Sequence, residues 1–179
     1  CLDAVKGAYD TAISDGKSVG IGLGLKNSGL GNGFKEVAKA VIRFCEDGRV
    51  QVRHCWTEMG QGVHTVAAQV AIEELGIPAS IIDVIVDTTR ELGAGQTTGS
   101  RGTLMGAGAV RDACKKAIEG GRAVGQDYEG EYRIDWTNAL SEYVENPIIH
   151  STFGFADQVF ILDSETGNIE NVVASLDVG

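Results

Sequence analysis

Apolar residues recur along the chain with two different periods, and each period predicts one type of element. Alternation of apolar with polar or small residues is typical of strands and is found in four segments: 19–25, 40–56, 155–162 and 169–176. Spacing of three and four residues is typical of helices and is found in three segments: 3–14, 63–75 and 104–118. A nearly continuous apolar run at 81–88 predicts one more strand, buried on much of both faces.

The order of these segments predicts the fold class. Glu46-Asp47-Gly48 and Ser164–Gly167 are turn sequences, so each joins two strands into a β-hairpin. The order hairpin, helix, strand, helix, hairpin predicts an α+β (mixed α/β) fold, with β-hairpins and helices packed on a mixed sheet. We expect residues 1–179 to form a single lobe that begins with a helix within residues 1–16. Residues 122–150 match neither period, and we predict an irregular segment there.

Composition and charge exclude several classes of function. The formal net charge is −10 and basic residues do not cluster, so a nucleic-acid partner is not expected. The sequence has neither an eighteen-residue apolar run nor a signal peptide, which predicts a cytoplasmic chain without a membrane partner. The four cysteines and three histidines lack metal-ligand spacing, so we predict no metal ligands. A first residue other than methionine indicates a piece of a longer polypeptide.

Two glycine-rich segments, 56–65 and 93–103, each run directly into a predicted helix. A helix N-terminus presents unpaired N–H groups and the positive end of the helix dipole, which together favour an anion. Glycine lets a ligand approach the backbone, and Gln61, Thr98 and Ser100 add neutral donors and acceptors. We therefore expect the two segments to grip one small anionic ligand, which the overall negative charge does not prevent.

Three ordered blocks also carry a family resemblance: Met59–Gly62, Gly93–Thr103, and a carboxyl-terminal set that includes Phe153–Ala156 and ends in Leu176-Asp177-Val178-Gly179. Over residues 17–179 the chain resembles the large molybdenum-binding subunit of the xanthine dehydrogenase and aldehyde oxidase family. The resemblance implies one lobe of a domain that binds molybdopterin, the organic part of the molybdenum cofactor.

The resemblance also implies which residues contact the cofactor: Met59, Gly60, Gln61, Gly62, Thr98, Gly99, Ser100 and Arg101. In this family, a glutamine at the position of Gln61 binds the pterin, and the second block holds the phosphate. Local alternatives remain open from the residues alone. The Gln61 amide can simply cap its own turn, Thr98 or Ser100 can cap a helix, and Arg101 can be exposed or pair with Glu91.

As to activity, the resemblance implies a molybdenum-dependent oxidoreductase that hydroxylates a purine, another N-heterocycle or an aldehyde, with a purine as the first expectation. It implies iron–sulfur and FAD components on partner subunits or domains, together with the remainder of the molybdenum subunit, in an oligomeric enzyme. The family's Gly-x-Gly-Glu-x-Pro segment, which carries the general-base glutamate, does not occur in these 179 residues. We therefore assign no catalytic residue and expect the 179 residues alone to be inactive.

Two other classes of function remain as alternatives. A non-catalytic interaction lobe would use the glycine segments only to pack against partner subunits. A phosphate- or nucleotide-binding domain would use them for a nucleotide, although neither segment has the Gly-Lys-Ser/Thr ending of a Walker motif.

Overall fold

Two separate β-sheets organise the chain, each in its own compact unit. The computed structural model describes residues 1–29, 33–93, 97–139, 141–149 and 152–177. In chain order the elements are α1 (Leu2–Ser14), β1 (Ser18–Ser28), β2 (Glu36–Phe44), β3 (Val50–His54), α2 (Val63–Leu75), β4 (Ile82–Val86), α3 (Ala107–Glu119), β5 (Asp127–Ile134), β6 (Thr152–Leu162) and β7 (Ile169–Asp177). Within these ranges, no helix is long and apolar enough to cross a membrane.

The first unit combines the described parts of residues 1–28 and 151–179. Its sheet has the order β1-β6-β7, and both pairings are antiparallel. The amphipathic helix α1 packs on this sheet and buries Val5 and Ala12, while Val159 on the central strand is fully buried. The pairing of β1 with β6 joins segments more than a hundred residues apart.

The second unit, residues 29–150, has a four-stranded sheet with the order β4-β3-β2-β5. β2 and β3 form the predicted hairpin, and β5 pairs antiparallel with β2 at one edge. β3 and β4 run parallel because α2 connects them as a crossover helix. The core lies between the sheet and the two helices α2 and α3, with Ile42, Val52, Ala71, Val110 and Ala113 among its fully buried residues.

The prediction of an α+β fold is confirmed, but the chain has two sheets where one mixed sheet was expected. Residues 122–150, predicted to be irregular, contain strand β5. Its inward-facing positions include Tyr128 and Gly130, and the glycine interrupts the apolar alternation. Glycine is required there because a Cβ would lie 2.1 Å from the backbone nitrogen of Ala113 on α3.

Strand β4 also differs from the prediction, since it is half-buried at a sheet edge. Its Asp83 forms an ion pair with Arg49, and the side chains of both residues are partly exposed. The apolar run was correctly read as a strand, and only its burial on both faces is wrong.

Candidate functional site

Two loops lie at the same edge of the second sheet. The first glycine loop (residues 55–62) follows β3, and the second glycine loop (residues 87–101) follows β4. Because β3 and β4 are adjacent and parallel, their carboxyl ends meet at one edge, which is where open α/β sheets bind ligands. Residues 94–96 of the second loop, including Gln96 of the sequence motif, lie outside the described residues.

A hydrogen bond joins the two glycine loops, and a cavity lies between them. The backbone N–H of Thr57 donates to the hydroxyl of Thr97 over 3.0 Å. The cavity has a volume of about 610 Å³ and is lined by Met59, Gln61, Val63 and residues 97–103. Segments about forty residues apart in sequence therefore form two walls of one site.

The first glycine loop wraps around the carboxylate of Glu58. Oε1 of Glu58 accepts hydrogen bonds from the backbone N–H groups of Gly60 (2.8 Å) and Gly62 (2.9 Å), and Oε2 accepts from His64 (3.2 Å). These hydrogen bonds, of which that from Gly62 has the largest effect, lower the pKa of Glu58 below its usual value. At the start of α2, the N–H groups of Gly62 and His64 are therefore not free for a ligand, since an internal carboxylate already accepts from them.

Gln61 uses its side-chain amide to close the same loop. Its Nε2 donates to the carbonyl of Thr57 (2.8 Å), and its Oε1 accepts from the N–H of Met59 (2.6 Å). The amide therefore caps its own turn, as the local interpretation predicts, and Gln61 also lines the cavity. A primary amide has two N–H donors and two lone pairs, so one of each remains for a ligand.

The end of the second glycine loop adopts a left-handed backbone. Gly99 has a φ of 68° and Ser100 a φ of 51°, and the latter value is uncommon for a residue with a side chain. The chain then enters a π-helical turn at Gly102–Gly106 before α3 begins. Among the described residues, the backbone N–H groups of Ser100 and Gly102 have no acceptor. Both residues line the cavity, so donors at this wall remain for an anion.

Arg101 lies beneath the second glycine loop and is 6% exposed. Its Nη1 donates to Oε1 of Glu36 on β2 over 2.6 Å, and its Nε donates to the carbonyl of Thr98. The guanidinium carbon lies 5.6 Å from the ring centroid of Trp56, in cation–π contact. Arg101 is therefore a buried anchor that ties the loop to the sheet, and neither the exposed arginine nor the Glu91 pair is found.

His54, Trp56 and His64 form the floor beneath the first glycine loop. The backbone N–H of Trp56 donates to Nδ1 of His54 (3.0 Å), which places the hydrogen of a neutral His54 ring on Nε2. The rings of His54 and His64 are 5.1 Å apart. Burial, followed by the charge on His64, lowers the pKa of His54 to about 4. His54 is therefore a neutral core histidine at ordinary pH.

Asp87 organises the start of the second glycine loop. Its Oδ1 accepts from the hydroxyl (2.6 Å) and N–H (3.0 Å) of Thr89, and its Oδ2 accepts from Arg53 (3.0 Å). These hydrogen bonds, led by the Thr89 hydroxyl, lower the pKa of Asp87 to about 2. A charged, fully engaged carboxylate thus fixes where the loop leaves β4.

The structure brings the sequence-predicted residues together. Six of the eight line the cavity: Met59, Gln61, Thr98, Gly99, Ser100 and Arg101. Gly60 and Gly62 shape the first loop behind them. The residues that support this site and were not assigned from sequence are Glu58, Glu36 and Trp56. For Glu58 there was a signal, because the helix N-cap is Gly62, which has no side chain, and an acidic residue lies four positions earlier.

The donors and acceptors around the cavity fit molybdopterin, which combines a flat pterin edge with one phosphate. Gln61 offers a donor and an acceptor to a heterocycle edge, while the hydroxyl of Ser100 and the N–H groups of Ser100 and Gly102 suit a phosphate. The volume also falls within the range of about 300–1,000 Å³ that small-molecule and cofactor sites occupy.

Comparison with known proteins points to the same ligand, molybdopterin. The family model described as "Molybdopterin cofactor-binding domain" matches residues 3–136. The gamma subunit of the 6-hydroxypseudooxynicotine dehydrogenase complex from Paenarthrobacter nicotinovorans is 36% identical over 121 residues, covering 64% of this chain and 14% of that protein. Xanthine dehydrogenase 1 from Arabidopsis thaliana is 40% identical over 86 residues, covering 48% of this chain and 6% of that protein.

Among solved structures, the aldehyde oxidoreductase from Desulfovibrio desulfuricans superposes with a TM-score of 0.73 at 21% identity, covering 99% of this chain and 23% of that one. At this identity the likeness shows the fold alone. The chain thus spans only a small part of the length of these relatives. The family match covers most of the chain, and the chain belongs to the family of molybdopterin cofactor-binding domains.

Proposed function

We propose that this chain holds molybdopterin in the cavity between its two glycine loops, as part of an oxidoreductase that hydroxylates a heterocycle or an aldehyde. The observation that carries the proposal is the convergence of both loops on one cavity of about 610 Å³, linked by the Thr57–Thr97 hydrogen bond. When bound, the molybdenum cofactor supplies the redox chemistry for inserting oxygen from water into a C–H bond.

The residues around the cavity contribute to cofactor binding in different ways. Gln61 presents its remaining amide donor and acceptor to the pterin, and Met59 forms an apolar wall that is 68% exposed in the chain itself. Thr98, Gly99 and Ser100 present hydroxyl and backbone groups to the phosphate. Gly60, Gly62 and Arg101 act from behind, by setting the paths of the two loops.

The reaction and its partners are proposed from the relatives. The relatives are named as a 6-hydroxypseudooxynicotine dehydrogenase complex subunit, a xanthine dehydrogenase and, for further relatives, aldehyde oxidases. N-heterocycles and aldehydes are therefore the proposed substrate classes, with a purine first. One relative is a subunit of a complex, and we propose that this chain likewise works with iron–sulfur and FAD components. The general base comes from outside these residues, and the cytoplasmic location remains a prediction.

The test is to measure molybdenum and released pterin in the full-length protein and in variants of each loop. We expect Gln61→Ala, Ser100→Ala and Ser100→Gly to lose cofactor while they stay folded. Ser100→Gly matters because it removes the hydroxyl and also relieves the positive φ, so a loss in both serine variants assigns the effect to the hydroxyl. Gln126→Ala and Ser80→Ala, at exposed positions outside the site, serve as matched controls.

If the wild-type protein contains neither molybdenum nor pterin, the proposal fails. It also fails if the loop variants keep the cofactor content of the controls, and the interaction lobe then becomes the better explanation.

A further inference from the structure

One carboxylate occupies the inner side of the first glycine loop. Glu58 accepts hydrogen bonds from Gly60, Gly62 and His64, which are three backbone N–H groups within five residues of chain. From this geometry we infer that Glu58 is a positioning residue that supplies the negative charge at the N-terminus of α2 and thereby holds Gln61 against the cofactor. The inference rests on the proposed function, in which Gln61 contacts molybdopterin.

The local sequence explains why an internal charge is needed here. The N-cap of α2 is Gly62, which cannot cap the helix with a side chain. Gly60 and Gly62 have positive φ values of 99° and 84°. Glycine adopts positive φ easily, but it adopts negative φ about as easily. A loop with two such residues has many alternative paths. The Glu58 carboxylate selects one of them, with the helix dipole favouring its negative charge.

The bonds to Glu58 act directly on the position of Gln61. Gly60 and Gly62 flank Gln61, and their N–H groups converge on the same oxygen, Oε1. The backbone of Gln61 is therefore fixed on both sides. Its side chain then closes a second ring through Thr57 and Met59. The free donor and acceptor of the Gln61 amide thus point in a direction that Glu58 sets without touching the cavity contents.

This arrangement also determines what the first loop offers to a ligand. Because Glu58 already satisfies the N–H groups of Gly60, Gly62 and His64, these groups are not available to a phosphate. The first loop therefore contributes a neutral amide to recognition. Removing the carboxylate is expected to turn the same three groups into an open site for a small anion.

The experiment compares three variants of Glu58 with one control in the full-length protein. Glu58→Ala removes the carboxylate, and Glu58→Asp shortens it. Glu58→Gln keeps an oxygen for Gly60 and Gly62 but removes the charge and the acceptor for His64. Glu46→Ala is the control, because it removes an equal charge from the exposed turn between β2 and β3. For each protein, molybdenum and pterin per chain are measured, together with the thermal midpoint in rising concentrations of formate.

We expect cofactor content to fall in the order wild type, Glu58→Gln, Glu58→Ala, by roughly tenfold for Glu58→Ala, the size of effect typical of outer-shell partners. Formate should raise the thermal midpoint of Glu58→Ala in a saturable way and restore part of its cofactor content. Neither response is expected in the wild type or in Glu46→Ala.

The outcomes separate this inference from the proposed function. If the wild type carries molybdopterin and Glu58→Ala carries as much, the inference is overturned while the proposed function stands. If the wild type carries none, the proposed function fails, and the formate response alone shows whether Glu58 fills this loop. If Glu58→Ala does not fold, the isosteric Glu58→Gln decides, and an undiminished cofactor content in that variant overturns the inference.

Discussion

The backbone N–H of Thr57 donates a 3.0 Å hydrogen bond to the side-chain hydroxyl of Thr97. Thr57 lies in the loop that follows β3, and Thr97 lies in the loop that follows β4, so this bond spans the two walls of the cavity. The two strands bring the loops to one edge of the sheet, and the bond sets the distance between them. The width of the cavity thus depends on a hydrogen bond within the protein and not on a contact with the ligand.

Thr97→Val keeps the β-branched shape and removes the hydroxyl. Since Thr57 is exposed, water can replace the lost acceptor, and we expect a loss of about 0.5–1 kcal/mol in the free energy of unfolding. Cofactor content should fall more clearly than stability, because the loops lose their mutual alignment. Urea unfolding and pterin analysis measure the two effects. Thr97→Ser, which retains the hydroxyl, should resemble the wild type, and a Thr97→Val protein with full cofactor content would show that the link is dispensable.

Arg101 and Glu36 form a buried ion pair, with side chains 7% and 1% exposed. Arg101→Ala takes away the counterion that Arg101 provides to the buried Glu36, so it should lower the free energy of unfolding by about 3–5 kcal/mol. The double variant Arg101→Met/Glu36→Leu should recover a substantial part of that loss. Chemical denaturation of all three proteins tests this expectation.

Arg111→Ala is the matched control for Arg101, because Arg111 pairs with Glu74 at the surface and its side chain is 61% exposed. An exposed pair of this kind contributes about 0–1 kcal/mol. Equal effects of the Arg101 and Arg111 substitutions would contradict the anchoring role of Arg101.

The pKa of His54 predicts a pH dependence of stability. The unfolded histidine has a pKa near 6.5, whereas burial lowers the pKa of the folded residue to about 4. Between these values the unfolded chain binds more protons, so the free energy of unfolding falls as the pH drops through 6.5 and His54's share of the loss is complete near pH 4. At about 1.4 kcal/mol per pKa unit, this share is roughly 3 kcal/mol.

His54→Asn isolates this contribution, since its amide oxygen can still accept a hydrogen bond from the backbone N–H of Trp56 but does not titrate. Protonation of Glu58 and Asp87, whose pKa values are lowered in the folded state, also reduces stability in acid, in the wild type and in His54→Asn alike. The measurement is therefore the difference between the two pH profiles from urea unfolding between pH 4 and 8. Parallel profiles would show that His54 does not titrate as its burial implies.

Sequence reasoning located the wall residues of the site, but it did not assign the supporting residues Glu58 and Glu36. Gln61 and Ser100 were found because glycines, polar side chains and a helix start recur together in a short segment. The anchor Glu36 lies on β2, far in sequence from its partner Arg101. Contacts of this kind depend on strand pairing, which a local pattern does not contain.

The helices and strands show the same difference: those set by local patterns were predicted, and long-range strand pairing was not. The hairpin of β2 and β3 and the helix α2 were predicted because their periods and turns are local. The pairing of β1 with β6 was missed, so one sheet was expected where two exist. Strand β5 was missed because Gly130 holds an inward-facing position that an apolar residue would otherwise occupy.

Gly130 itself provides a test of how closely α3 packs on β5. A Cβ at this position would lie 2.1 Å from the nitrogen of Ala113 and 2.3 Å from the carbonyl oxygen of Ala109, both of which are helix backbone atoms. Backbone cannot rotate away as a side chain does, so Gly130→Ala must displace α3 from the sheet. We expect a loss of about 3 kcal/mol, at the upper end of the usual costs of overpacking.

Displacement of α3 also moves the second glycine loop, because the helix continues directly from the turn at Gly102–Gly106. Gly130→Ala should therefore lose cofactor even at temperatures where it remains folded. The control is Gly22→Ala, a strand glycine where a Cβ would meet nothing within 4 Å, and its stability should change by less than about 1 kcal/mol. Thermal unfolding and cofactor content are compared for both variants. If Gly130→Ala matched Gly22→Ala in both, the close packing of α3 on β5 would not control the site.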